Sequence, residues 1–204
     1  MNEFEGIFFD FDGVLLDTEP DHCACWAQVL RAKGVELTWE YYRDHCIGID
    51  DRDMLRVLAR QADPPREFGE LWALYPEKKR LFQERMAAPP FERELQAMLP
   101  ALARDYRLAV VSSSASVEIA PLLDAGGIRG YFGTIVGGEN VTRHKPAPEP
   151  YLLAAERLGV RRALVIEDSQ AGIASGRAAG FEVLAVRHPR EVAGALAERL
   201  GLRG

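Results

Sequence analysis

Gly6-Ile7-Phe8-Phe9-Asp10-Phe11-Asp12-Gly13-Val14 decides the fold. An apolar run with β-propensity ends in two aspartates spaced i, i+2, with a glycine directly after them. Residues two apart on an extended strand point to the same side, so Asp10 and Asp12 present both carboxylates together where the strand turns. Ligands of open α/β sheets sit at the carboxyl ends of strands. Two carboxylates this close repel, and a metal ion, a shared proton or both are required there. An Asp- and Gly-rich turn without a ligand has the same local pattern, and later stretches separate the two readings.

Three such stretches follow. Leu108-Ala109-Val110-Val111-Ser112-Ser113-Ser114 is an apolar strand ending in hydroxyls, and Ala163-Leu164-Val165-Ile166-Glu167-Asp168-Ser169 is one ending in acids. Lys145-Pro146-Ala147-Pro148 puts a cation just before a helix start, with prolines restricting the backbone around it. Taken singly these are a helix cap, a solvated lysine and a turn. Together, in this order at strand ends, they supply a nucleophile, an acid/base, a phosphate cradle and metal ligands.

Helical patterns at Leu95–Ala103, Val117–Asp124, Glu149–Leu158, Gln170–Ala179 and Glu191–Leu200 alternate with apolar strands at Ile7–Phe9, Leu108–Ser112, Thr134–Val136, Leu164–Glu167 and Val183–Val186. That alternation predicts the α/β class, a Rossmann-like doubly wound parallel sheet with right-handed crossovers. Pro121 predicts a kink or a late start in its helix. Gly172, Gly176 and Gly180, four apart, predict close helix–sheet packing with a C-terminal stop. The long stretch between the first two strands has no strand signal. Helical patterns at Asp21–Lys33, Trp39–Cys46, Arg52–Arg60 and Glu67–Met86 make it a helical cap domain inserted after the first strand. The expected division is a core of residues 1–15 and 89–204 with a cap of residues 16–88.

These four motifs, with the stretch from Asp17-Thr18-Glu19-Pro20-Asp21-His22 to Trp26, resemble the haloacid dehalogenase superfamily in its phosphatase and β-phosphoglucomutase-like branch. The resemblance implies that Asp10 takes the phosphoryl group as an aspartyl-phosphate, and that Asp12 protonates the leaving alcohol and then activates water. It implies that Ser112, Ser113 and Lys145 hold phosphoryl oxygens. Mg²⁺ would lie on Asp10, Asp168 and the backbone carbonyl of Asp12, with Glu167 supporting the site. The second aspartate, Asp12, argues against dehalogenation. In the family such a cap closes over the site and chooses the substrate, which makes His22, Arg52 in the turn Gly48–Asp53, and Lys78 the candidate cap contacts.

The residue types also suit phosphoryl transfer on physical grounds. A carboxylate is a nucleophile at neutral pH without a base, and it splits hydrolysis into two displacements. Most of the remaining catalysis is positioning and charge stabilisation. The expected function is a Mg²⁺-dependent phosphatase acting on a small phosphorylated metabolite such as a sugar phosphate. A phosphomutase is the rival enzyme, since His22, four before Trp26, matches a mutase-branch histidine. A phospho-acceptor signalling module would place its acceptor on a middle strand and have no cap. A catalytically dead binding protein would not need every reactive residue intact.

Bulk properties narrow the partners. A net charge of -6 over 204 residues argues against a nucleic-acid surface. No apolar run reaches the length of a membrane span, and the acidic start lacks a signal-peptide pattern, so a cytoplasmic protein is expected, a monomer or weak dimer. Cys23, Cys25 and Cys46 have no metal-ligand spacing and read as buried, inert thiols.

Overall fold

Four small or apolar residues, each buried, make β1 (Gly6–Phe9) an interior strand. In the computed structural model, which describes residues 3–47 and 49–202, it lies at the middle of a five-stranded parallel sheet. The others are β2 (Arg107–Val111), β3 (Phe132–Val136), β4 (Ala163–Glu167) and β5 (Glu182–Ala185), in the order β3-β2-β1-β4-β5. Phe8 pairs with Ala109 on one side and Val165 on the other, a register that lays large residues beside small ones.

The chain divides into two compact units, Thr18–Ala87 and the combination of Met1–Asp17 with Ala88–Gly204. The first is all helical: α1 (Glu19–Arg31), α2 (Trp39–His45), α3 (Asp51–Gln61), α4 (Phe68–Trp72) and α5 (Tyr75–Arg85). Its core centres on Trp26, Leu30, Leu55 and Leu71, all fully buried, each worth about 1.5–3 kcal/mol on folding. Cys23, Cys25 and Cys46 are buried free thiols, and burial pushes Cys23 up to about 11, which keeps it protonated. The single helix expected over Glu67–Met86 is two helices. Pro76 has no N–H to donate and its ring clashes with the preceding turn, so α5 restarts with proline in its first turn. Gly48, the first residue of the expected turn Gly48–Asp53, lies outside the described residues.

The second unit holds the sheet with α6 (Arg93–Asp105), α7 (Ser116–Ala125), α8 (Glu149–Leu158), α9 (Gln170–Ala178) and α10 (Pro189–Leu200). Phe8, Ala109 and Val165 pack against Tyr151, Ala154 and Ala155 of α8. Ile7 and Phe9 point the other way, to the face where α6 lies on β2 and α10 lies on α6. Helix α7 begins at Ser116 and runs through Pro121, so the late start expected from that proline does not occur. A Cβ on Gly176 would fall 2.8 Å from Val183 and 3.2 Å from Val165, and Gly180 is left-handed at the end of its helix, as the glycine spacing predicted. Among the described residues no helix is long and apolar enough to cross a membrane.

From β1 the sheet runs through β2 to β3 on one side and through β4 to β5 on the other. The strand order therefore reverses between β1 and β4, and a crevice opens at their carboxyl ends. Asp10 directly follows β1, Ser112 follows β2 and Asp168 follows β4.

Candidate active site

Beyond β1 the chain turns back sharply. Phe11 carbonyl accepts from the amides of Leu15 and Leu16, and Gly13 amide donates to Leu16 carbonyl at 2.8 Å. Gly13 sits at φ 78°, and a Cβ there would fall 2.1 Å from Asp168 Oδ2. Only glycine allows both the turn and the approach of the Asp168 carboxyl.

Lys145 ties the strand ends together. Its Nζ donates to Asp10 Oδ1 at 2.8 Å, Glu167 Oε1 at 2.6 Å and Val111 carbonyl at 3.0 Å. Those bonds use all three donors of the ammonium, whose side chain is 5% exposed. Burial alone would lower its pKa, but the charges of Asp10 and Glu167 outweigh it and the net shift is upward, so Lys145 is a fixed cation. The segment that carries it is anchored by Glu149 at the start of α8. The Glu149 carboxylate accepts from the amides of Thr142 and Arg143, and these bonds hold it at about 2.

Glu167 is a hub of hydrogen bonds. Oε1 accepts from Lys145 and from the Tyr151 hydroxyl at 2.7 Å, while Oε2 accepts from Ser169 Oγ and from the amides of Asp168 and Ser169. A carboxylate has about four lone-pair positions, so these five donors saturate it. Its carboxyl lies against Gly172, where a Cβ would be 1.7 Å from Oε1. The Tyr151 ring is also 5.1 Å beneath Lys145 Nζ, adding a cation–π contact.

Asp10, Glu167 and Asp168 each offer an oxygen within 4.8 Å of the others. Burial chiefly, with Glu167 as a second cause, pushes Asp168 up to about 6, and burial also raises Asp10. Three acids against one lysine leave negative charge in excess, and the donors are hard oxygens, as Mg²⁺ requires. The residues therefore fit a divalent ion on Asp10 and Asp168, with saturated Glu167 holding the frame.

The hydroxyl strand is organised differently from expectation. Ser112 is 4% exposed, and its Oγ accepts from Ser114 amide at 3.0 Å. Ser114 Oγ donates to Asp12 Oδ2 at 3.0 Å. Ser113, grouped with Ser112 in the sequence reading, is exposed. β2 ends at Val111, and the bend that follows, closed by the Ser114 amide on Ser112 Oγ, brings Ser114 to Asp12; the run of three serines is the signal the sequence offers for it. Tyr151 had no comparable signal, because its partner Glu167 is remote in sequence.

The helical unit brings together two of its three candidate residues. Lys78 is buried, with Nζ 2.9 Å from His22 Nδ1 and 3.3 Å from Asp51 Oδ2. The rings of Trp26, Phe82 and Tyr75 surround it at 5.4, 5.7 and 5.9 Å. Asp51 Oδ1 is fixed by Trp26 Nε1 at 2.9 Å, and His22 stacks on Phe82 at 4.1 Å. Burial and then the Lys78 charge push His22 down to about 3, so the imidazole is neutral and its Nδ1 accepts from the lysine. Arg52 stands apart from this group, its guanidinium over the Trp72 ring at 4.7 Å.

Comparison with known proteins gives matches along most of the chain. The family model for haloacid dehalogenase-like hydrolases matches residues 7–186. The chain is 32% identical over 183 residues to the phosphorylated carbohydrates phosphatase of Thermotoga maritima, covering 87% of this chain and 82% of that one. It is 31% identical over 186 residues to the fructose-1-phosphate phosphatase YqaB of Escherichia coli, covering 90% and 97%. CbbY from Rhodobacter sphaeroides, solved in complex with phosphate, matches with a TM-score of 0.75 at 27% identity over 89% of this chain and 85% of that one.

Proposed function

This chain belongs to the haloacid dehalogenase-like hydrolases and is a phosphoric monoester hydrolase of that type, and from that premise we propose that it hydrolyses a phosphorylated carbohydrate through an aspartyl-phosphate on Asp10. The observation that supports this most is Lys145, bonded at once to Asp10 and Glu167 across the switch point of the sheet. A cation placed there draws a phosphate monoester onto the nucleophile and balances charge in the transferring group. The names of the two sequence relatives support carbohydrate phosphates as the substrate class.

In this reading an Asp10 carboxylate oxygen attacks phosphorus while Asp12 protonates the departing ester oxygen. Asp12 then takes a proton from the water that attacks the phosphoenzyme, which frees Asp10. Ser112 and Lys145 hold phosphoryl oxygens through both displacements, Lys145 exchanging one of its present acceptors for the substrate. Asp10 and Asp168 would hold Mg²⁺, which would supply further positive charge against the phosphoryl oxygens. Glu167, saturated by protein donors, keeps Lys145 and the turn at Asp168 in place.

The test is a panel of phosphorylated metabolites that includes fructose 1-phosphate, β-glucose 1-phosphate and phosphoglycolate. Both free phosphate and isomeric product are scored, with and without Mg²⁺, beside Asp10→Asn. Phosphate released from a carbohydrate ester, and lost in the variant, is the expected result. Isomer without net phosphate would identify a mutase, and no turnover of any ester would overturn the proposal.

A further inference from the structure

We propose that Ser114 is a positioning residue for Asp12, selecting which of its two carboxylate oxygens carries the transferable proton. The inference rests on the reading of Asp12 as the acid/base. Ser114 Oγ donates to Asp12 Oδ2 at 3.0 Å, across a separation of 102 residues in the chain. Accepting that bond fixes rotation about the Asp12 Cβ–Cγ bond and lowers the basicity of Oδ2. The proton is thereby biased to Oδ1.

Ser114 can direct another side chain because its own backbone is held at both ends. Its amide donates to Ser112 Oγ at 3.0 Å, and its carbonyl accepts from Gly138 amide at 3.1 Å. Two residues on, at the start of α7, Ser116 is bound through both its amide and its hydroxyl by the Glu139 carboxylate. The loop after β2 is thus stapled to the turn after β3, and the hydroxyl reaches Asp12 from a fixed origin. Ser112 acquires two roles, a phosphate contact in the proposed reaction and an acceptor that holds Ser114.

The proton balance is simple. In the first displacement the proton on Asp12 Oδ1 passes to the ester oxygen as its bond to phosphorus breaks and the Asp10–phosphorus bond forms. In the second, Oδ1 takes a proton from the attacking water as the Asp10–phosphorus bond breaks. Asp12 is then protonated again for the next substrate, with Ser114 donating to Oδ2 throughout.

Leaving groups separate this role from a structural one. An alkoxide must be protonated as it departs, whereas p-nitrophenolate leaves without help. The quantity to compare is kcat/KM, which covers only the steps through the first P–O cleavage when that cleavage is irreversible. Ser114→Ala is expected to lower kcat/KM about 10- to 100-fold for the best carbohydrate phosphate and less than about 3-fold for p-nitrophenyl phosphate, part of the roughly 10²–10⁴-fold available to a general acid. Ser114→Thr, which keeps the hydroxyl, is expected to restore the first value. Equal losses on both substrates, or no loss on either, would overturn the proposal. Asp12→Asn run in parallel keeps the two readings apart. If it is selective for the alkyl ester and Ser114→Ala is not, only the role of Ser114 falls. If Asp12→Asn shows no selectivity, the acid/base assignment falls and takes the role of Ser114 with it.

Discussion

Replacing Asp168 with asparagine should stabilise the metal-free protein. Burial, with the charge of Glu167 as second cause, raises Asp168 from 3.8 to about 6. Between those values the folded state binds more protons than the unfolded state, so the unfolding free energy falls as pH rises from about 4 to 6 and stays lower above. A shift near two units corresponds to about 3 kcal/mol, and allowing for the part of the side chain that remains exposed leaves about 2 kcal/mol. Asparagine fills the same space beside Gly13 without the charge. In EDTA at pH 7.5, Asp168→Asn should melt about 4–8 °C above the wild type, and the difference should vanish near pH 3.5. Adding Mg²⁺ should stabilise the wild type, by about 2.7 kcal/mol at one hundred times its dissociation constant, and leave the variant nearly unmoved. Differential scanning fluorimetry at both pH values, with and without Mg²⁺, reads all four numbers. A variant less stable than wild type in EDTA at pH 7.5, or an advantage that persists unchanged at pH 3.5, would refute the reasoning.

Other perturbations test separate parts of the structure. His22 sits at about 3 when folded against 6.5 when unfolded, so its contribution is complete above pH 6.5 and is lost as pH falls through that interval. Urea unfolding at pH 7 and pH 4 should show the wild type losing about 3 kcal/mol more than His22→Gln, and equal losses would contradict the neutral, half-buried imidazole. Gly172→Ala drives a methyl into the Glu167 carboxylate and should cost about 3–5 kcal/mol and most activity, while Gly194→Ala, with nothing within 4 Å in α10, should gain about 0.5–1 kcal/mol; comparable thermal shifts for the two would rule out the Glu167 contact. Tyr151→Phe removes one donor from Glu167 and should cost about 1.5–3 kcal/mol in chemical denaturation, so an unchanged midpoint would show that the buried bond contributes nothing.

The sheet was legible because interior parallel strands are continuous apolar runs. Ile7–Phe9 and Leu164–Glu167 are uninterrupted and fall within one residue of β1 and β4. The sequence pattern of β3 starts only at Thr134, because Gly133 interrupts it, while the backbone is already extended from Phe132. The break between α4 and α5 depends on Pro76, whose effect is steric and local, yet the helical periodicity on either side hides it. In the site, strand-end acids and the pre-helical lysine are readable because each stands at a boundary between two periodicities. Ser114 and Tyr151 act through partners 102 and 16 residues away, and only the folded topology shows that they meet. The three serines illustrate the difference, since the sequence presents three adjacent hydroxyls and the bend after β2 decides which of them meets Asp12.

The most direct test of the account is to trap the acyl phosphate. The protein is mixed with its best carbohydrate phosphate, quenched in acid within milliseconds and reduced with borohydride, and the peptide containing residues 6–14 is analysed by mass spectrometry. Homoserine at position 10 in the wild type, absent from Asp10→Asn, is the predicted result. Burst release of the alcohol with no modification at position 10, or turnover retained by Asp10→Asn, would contradict it.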